Sequence, residues 1–142
     1  MLQSCWDIYS LAATDLTMAS KFRDDENIGK IFLTRGDIEL LRASLGRPPY
    51  NFPAASKNGE LLTRNAEKHY RGAKVLSQSS GEREEREENE EAIVKEALVK
   101  ALLGDGSELG VVRRSVGRAD EILGEAVNDG LFEEGMLAGI LS

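Results

Sequence analysis

Residues 81–103, "GEREEREENEEAIVKEALVKALL", constrain this chain's fold more than any other stretch. The segment opens as nearly pure charge and closes as an amphipathic helix. Glu82–Arg86, Arg83–Glu87, Arg86–Glu90, Glu91–Lys95 and Glu96–Lys100 all stand at i,i+4 spacing. Each such pair supports a solvated helix by roughly 0.2–0.5 kcal/mol. Ser79 and Ser80 are N-cap candidates. Glu82, Glu84 and Glu85 place carboxylates where the helix dipole favours them. From Ala92 an apolar stripe follows through Ile93, Val94, Ala97, Leu98, Ala101 and Leu102. That spacing predicts one buried face. A continuous helix over 81–103 is about 35 Å long. Its first half has no apolar face, so it is expected to stay solvated or to meet a basic surface such as the 59–76 segment.

The same stretch divides the chain electrostatically. Residues 1–80 hold eleven Lys/Arg and nine Asp/Glu, residues 81–90 two and six, and residues 91–142 five and ten. The three nets are +2, −4 and −5, and the chain carries −7. The only basic region is 34–76, with eight Lys/Arg against four Asp/Glu. A chain of 142 residues suits one ordinary domain or two small ones. It is long enough to bury about 70% of its unfolded surface. The lone Cys5 cannot build a disulfide framework and suits a reducing compartment. One Cys and one His cannot supply a Cys/His zinc site. No run approaches the apolar length of a membrane-spanning helix. Asp7 and Asp15 interrupt the apolar N-terminal stretch, so it does not read as a signal peptide. A cytoplasmic location is the expectation.

Along the first half, Ser4 and Asp7 have capping-box spacing and open a helix over about 5–20. Trp6, Ile8, Tyr9, Leu11, Ala12, Leu16 and Ala19 are its apolar residues, with Trp6 as a core anchor. Thr34 and Asp37 repeat the capping spacing and open a helix over about 35–45 that buries Ile38, Leu41 and Leu45. Asp37 thereby has a capping role, and "RGD" at 35–37 carries no adhesion meaning. Residues 46–58 form a long loop with all three prolines and the aromatics Tyr50 and Phe52. Such loops are often functional; this one either inserts its aromatics into a neighbour or covers its own core. Asn58-Gly59 is a turn, and a helix follows over 59–76. Its apolar face is Leu62, Ala66, His69, Ala73 and Leu76, flanked by Leu61 and Tyr70, and His69 reads as structural. Its other faces carry Arg64, Lys68, Arg71 and Lys74.

After the break at "GDGS", Ser107 caps a short helix with Leu109, Val111, Val112 and Val116. Gly117 ends it, and 118–127 forms another helix with Ala119, Ile122, Leu123, Ala126 and Val127 inward. Residues 131–142 form either a small β-hairpin turning at Glu133–Gly135 or a final apolar helix. The stretch "ELGVVRRSVGRADEILGEAVNDGLFEEG" resembles a winged helix-turn-helix domain. The resemblance implies Gly117 as the turn glycine, Leu109, Val112, Leu123 and Val127 as core, and Gly130-Leu131 as entry to the wing. Its recognition helix would show Arg118 beside Asp120, Glu121, Glu125 and Asp129. That charge works against phosphate neutralisation, so the resemblance implies a protein-binding member as readily as a DNA-binding one.

Enzyme motifs are absent: no GxGxxG, no P-loop, no GxSxG. Cys5 and His69 stand far apart in sequence, with nothing else to make them a nucleophile pair. No cofactor, metal or catalytic residue is expected. The fold expected is mostly α: a helical unit over 1–76, a linker and long acidic helix over 77–103, and a second helical unit over 104–142. The function expected is a non-enzymatic interaction or assembly subunit, with a protein partner or a second copy of itself. Its contact candidates are Tyr50, Phe52, Glu84, Glu85, Glu87 and Glu88. The alternative is a nucleic-acid-associated regulator using Arg64, Lys68, Arg71 and Lys74, or Arg113, Arg114 and Arg118.

Overall fold

The protein is mostly helical. Its computed structural model describes residues 1–22, 26–77 and 83–141, which form eight helices and no strand. Ser79, Ser80 and Glu82, expected to start the acidic helix, lie outside the described residues.

Helix α1 spans Leu2–Ala19. It starts earlier than the Ser4–Asp7 spacing suggested, and Ser4 sits inside it. Asp7 accepts from the Gln3 side-chain amide one turn back, at 2.8 Å, instead of closing a capping box. Helix α2 spans Ile28–Ser44, so it starts about two turns before the expected residue 35. Thr34 is interior, and its hydroxyl bonds the Lys30 carbonyl at 2.9 Å. This back-bond is open to any Thr in a helix, which is why capping-box spacing misplaced the start. Helix α3, Pro53–Lys57, interrupts the long loop, with Pro53 at a first-turn position that needs no N–H. Helix α4 spans Gly59–Leu76, matching the expected bounds.

Helix α5 spans Arg83–Leu102. Gly104 ends it at φ 104°, with the Asp105 N–H bonding the Lys100 carbonyl at 2.8 Å. A left-handed glycine with that six-to-one bond closes the helix and satisfies a free carbonyl. Helix α6, Ser107–Ser115, has Gly106 as its N-cap, so Ser107 is its first residue and not its cap. The Asp105 carboxylate accepts the Ser107 N–H at 3.2 Å and its hydroxyl at 2.6 Å. Helix α7 spans Ala119–Asn128. Gly130, at φ 79°, closes it in the same way, with Leu131 N–H on the Ala126 carbonyl at 3.0 Å. This corrects the wing: Leu131 and Phe132 turn into the core at 2% exposure each. Helix α8, Glu134–Leu141, then takes the place of the β-hairpin.

One apolar cluster holds the molecule together. It takes Phe32, Leu33 and Leu40 from α2, Ala66, Tyr70 and Ala73 from α4, and Leu98 and its neighbours from α5. It continues through Leu109, Ile122 and Leu123 to Leu137 of α8. Helix α5 lies at its centre, packed against α4, α6, α7 and α2. From Ala92 to Val99 this helix buries Ala92, Val94, Lys95, Glu96, Ala97, Leu98 and Val99. A helix buried on all sides is a core element. The second half of α5 is therefore the hub of this cluster. Helix α1 gives the cluster no residue; it packs on α2 from outside.

Candidate functional site

Helix α1 is the feature that packing leaves unexplained. None of its residues is fully buried. Trp6 anchors it, with its ring 5.9 Å from that of Phe52 and the Arg42 guanidinium 4.6 Å above its face. Arg35 holds its C-terminal end by donating to Ser20 Oγ at 3.0 Å. The opposite face carries Ile8, Leu11 and Met18 at 65%, 64% and 55% exposure, with Phe22 just beyond the helix at 70%. Positions 8, 11, 15 and 18 follow the 3-4-3 spacing of one helical stripe. Asp15 is the polar member, exposed at its centre, and it forms no ion pair among the described residues. A row of large apolar side chains in water is an informative departure.

The loop aromatics separate. Phe52 is half-buried against Trp6, whereas Tyr50 is exposed. Phe52 therefore covers its own protein, and only Tyr50 remains as a surface aromatic. Phe52 lies beside the N-terminal end of α1, two residues along the chain from Tyr50.

Of the acidic candidates, Glu84, Glu87 and Glu88 line a cleft of about 390 Å³ with Asp37, Glu91 and Lys30; Glu85 is half-buried outside it. The acidic half of α5 is thus not free in solvent. Asn89 donates to the Lys74 carbonyl at 2.8 Å and to Ser77 Oγ at 3.3 Å. Arg118 donates to Glu90 at 3.3 Å. Burial, then Glu85, pushes the Glu88 carboxyl above its ordinary value. Among the described residues no group of His, Cys, Asp or Glu is arranged to hold a metal ion.

Beneath this cleft lies a buried polar network that periodicity did not reveal. Lys95 donates to Asp37 Oδ1 at 3.0 Å and to Glu91 Oε2 at 2.8 Å. The Tyr70 hydroxyl donates to the same Asp37 oxygen at 2.6 Å. Asp37 is therefore a core acceptor joining α2, α4 and α5, and not a cap. Burial pushes its carboxyl up against the pull of Lys95 and Tyr70. Burial also pulls Lys95 down, but Asp37 and Glu91 outweigh it and its pKa lies above the ordinary lysine value. Lysine inside an apolar run, four residues after Glu91, was the available signal: a cation there needs a buried acid.

The basic candidates split as well. Arg64, Lys68 and Arg71 line a cleft of about 470 Å³ with Lys100. Arg64 is paired with Glu60, Arg71 with Glu67, and Lys100 with Glu108. Lys74 does not join them, since it bonds the buried Glu96. In the C-terminal trio, Arg113 pairs with Asp120, and Arg118 with Glu90 and Glu121. Arg114 is exposed. Arg118 lines the acidic cleft with Glu87 and Glu91.

Cys5 is half-buried on α1, while the His69 ring on α4 meets Phe32 edge-on at 6.4 Å. Burial, then Arg35 and Lys68, lowers the His69 pKa from 6.5 to about 4. The folded protein thus refuses a proton that the unfolded chain accepts. Stability from this group is full above pH 6.5 and is lost as pH falls towards about 4. Discounted for partial exposure, the loss is about 1–2 kcal/mol. Urea midpoints measured across that window are expected to fall less in His69→Gln than in the wild type. Identical pH slopes would refute the assignment.

No protein-family model, curated protein or solved structure matches this chain.

Proposed function

We propose that this chain is a non-enzymatic interaction or assembly subunit whose contact surface is the outer face of α1. The observation that carries the reading is the exposed line of Ile8, Leu11 and Met18 on a helix that contributes nothing to the main core. Burying a side chain of this size is worth about 1.5–3 kcal/mol. A partner covering the stripe would recover that energy, and the polar surroundings of Asp7 and Thr14 would form its rim. Tyr50, exposed two residues before Phe52, would extend the contact. The test compares the wild type with Leu11→Lys/Met18→Lys by light scattering and pull-down. The wild type is expected to self-associate or retain a partner, and the variant to lose both while keeping its helix content. Two monodisperse monomers that capture the same proteins would sink the reading.

Association with nucleic acid is the second reading. The cleft of Arg64, Lys68, Arg71 and Lys100 favours it. The carboxylates already bonded to three of those cations weigh against it, because affinity for phosphates comes from cations that release counterions. Absence of retention on DNA at about 50 mM salt, where such contacts are strongest, would end this alternative.

A further inference from the structure

Helix α4 carries a second exposed stripe on its outer face. Leu61 and Val75 are 57% and 60% exposed, and between them Arg64, Lys68 and Arg71 are exposed too. The positions 61, 64, 68, 71 and 75 repeat the spacing of 8, 11, 15, 18 and 22. The two stripes are opposite in charge at their centres. Asp15 stands in the middle of one and Lys68 in the middle of the other. Neither makes an ion pair among the described residues. Both stripes end in apolar side chains. Laid together in either direction, they set Asp15 on Lys68 and apolar ends on apolar ends. Leu11 and Met18 then meet the methylene stems of Arg64 and Arg71, which can cover apolar surface while their charged heads stay wet.

We infer that the partner of the α1 face is the α4 face of a second copy of this chain, an inference that rests on the interaction reading above. The contact joins two different surfaces, so it is heterologous. One such contact leaves an α4 stripe free on one copy and an α1 stripe free on the other. Assembly therefore continues until a symmetry closes it. The basic ridge of α4 then serves protein docking, which accounts for exposed cations in a chain of net charge −7. Complementary charge at the centre of each stripe also fixes their relative register.

The test is sedimentation velocity on the full chain across a concentration series. Asp15→Lys and Lys68→Asp are each expected to weaken self-association about tenfold or more, since each replaces attraction by repulsion. The two substitutions in one chain restore it towards wild type. Leu11→Lys, which sets a cation against the arginines and blocks α1, and Val75→Glu, blocked at α4, are each expected to be monomeric alone. Mixed together they form a one-to-one complex and grow no further, because only one intact contact remains. All these positions are exposed, so circular dichroism should show unchanged helix content. Failure of the charge swap to restore association, or a mixture that stays monomeric, overturns the inference. A wild type that is monomeric throughout also overturns it. The broader interaction reading falls separately, when Leu11→Lys/Met18→Lys changes neither self-association nor partner capture.

Discussion

Lys95→Met destabilises the protein by about 3–5 kcal/mol, because it removes the cation that bonds both acids of a buried three-helix junction and leaves them without it. The Lys95 side chain is only 5% exposed and bonds both Asp37 and Glu91. Methionine fills most of the volume, so the loss is electrostatic more than steric. Asp37 then faces Glu91 with only the Tyr70 hydroxyl in support. Its carboxyl, already raised by burial, rises further. A folded-state pKa above the unfolded one means that the folded protein binds the extra proton as pH falls. The variant's deficit therefore narrows on acidification through the raised pKa and widens towards neutral pH. Asp37→Asn/Lys95→Met removes both charges and keeps an oxygen for the Tyr70 hydroxyl, so it is expected to recover roughly half of the loss. Urea unfolding with unchanged slope supplies the measurement. A single-variant loss near that of an exposed ion pair, about 0–1 kcal/mol, would show the junction to be open to water.

This junction also marks where the sequence stops being legible. Helices α4 and α7 were readable to within a residue or two because their ends carry local signals: Asn58-Gly59 before one, Asn128-Asp129-Gly130 after the other. Local spacing failed at Thr34–Asp37, where a capping pattern sits in the middle of a helix and the acid reaches across to Tyr70 and Lys95. Pairs at i,i+4 describe a helix alone in water. They could not show that Asn89 reaches Ser77, or that Glu90 reaches Arg118. The two aromatics of the Pro-rich loop were visible, but which one would be consumed by Trp6 depended on tertiary packing. The α1 stripe was present in the 8-11-15-18 spacing all along. The helix has two such faces, one half-buried with Trp6, Tyr9 and Leu16 and one exposed.

Glycine-to-alanine substitution reverses sign between two helices. Alanine is favoured over glycine inside a helix by about 0.8–1 kcal/mol. At Gly124 in α7 a Cβ meets nothing within 4 Å, and Gly124→Ala is expected to stabilise by about 0.5–1 kcal/mol. At Gly36 in α2 the same Cβ would lie 2.5 Å from Cε1 of Tyr70 and 2.7 Å from two further ring atoms. That ring cannot step aside: Tyr70 is 0% exposed and its hydroxyl is held by Asp37 at 2.6 Å. Overpacking a core site costs typically about 1–3 kcal/mol and sometimes more. Here it also displaces a buried hydrogen bond, worth about another 1.5 kcal/mol when one partner is charged. These costs exceed the gain in helix propensity. Gly36→Ala is therefore expected to destabilise by about 2 kcal/mol or more, despite adding a better helix former. The cause can be separated from any backbone effect by shortening the ring. In a Tyr70→Leu background the added methyl has room, and Gly36→Ala should cost little. The double-mutant cycle is expected to give a coupling of about 1–3 kcal/mol in favour of the pair. A coupling near zero would mean that the strain does not arise at Tyr70, and the close packing of α2 on α4 would need another account.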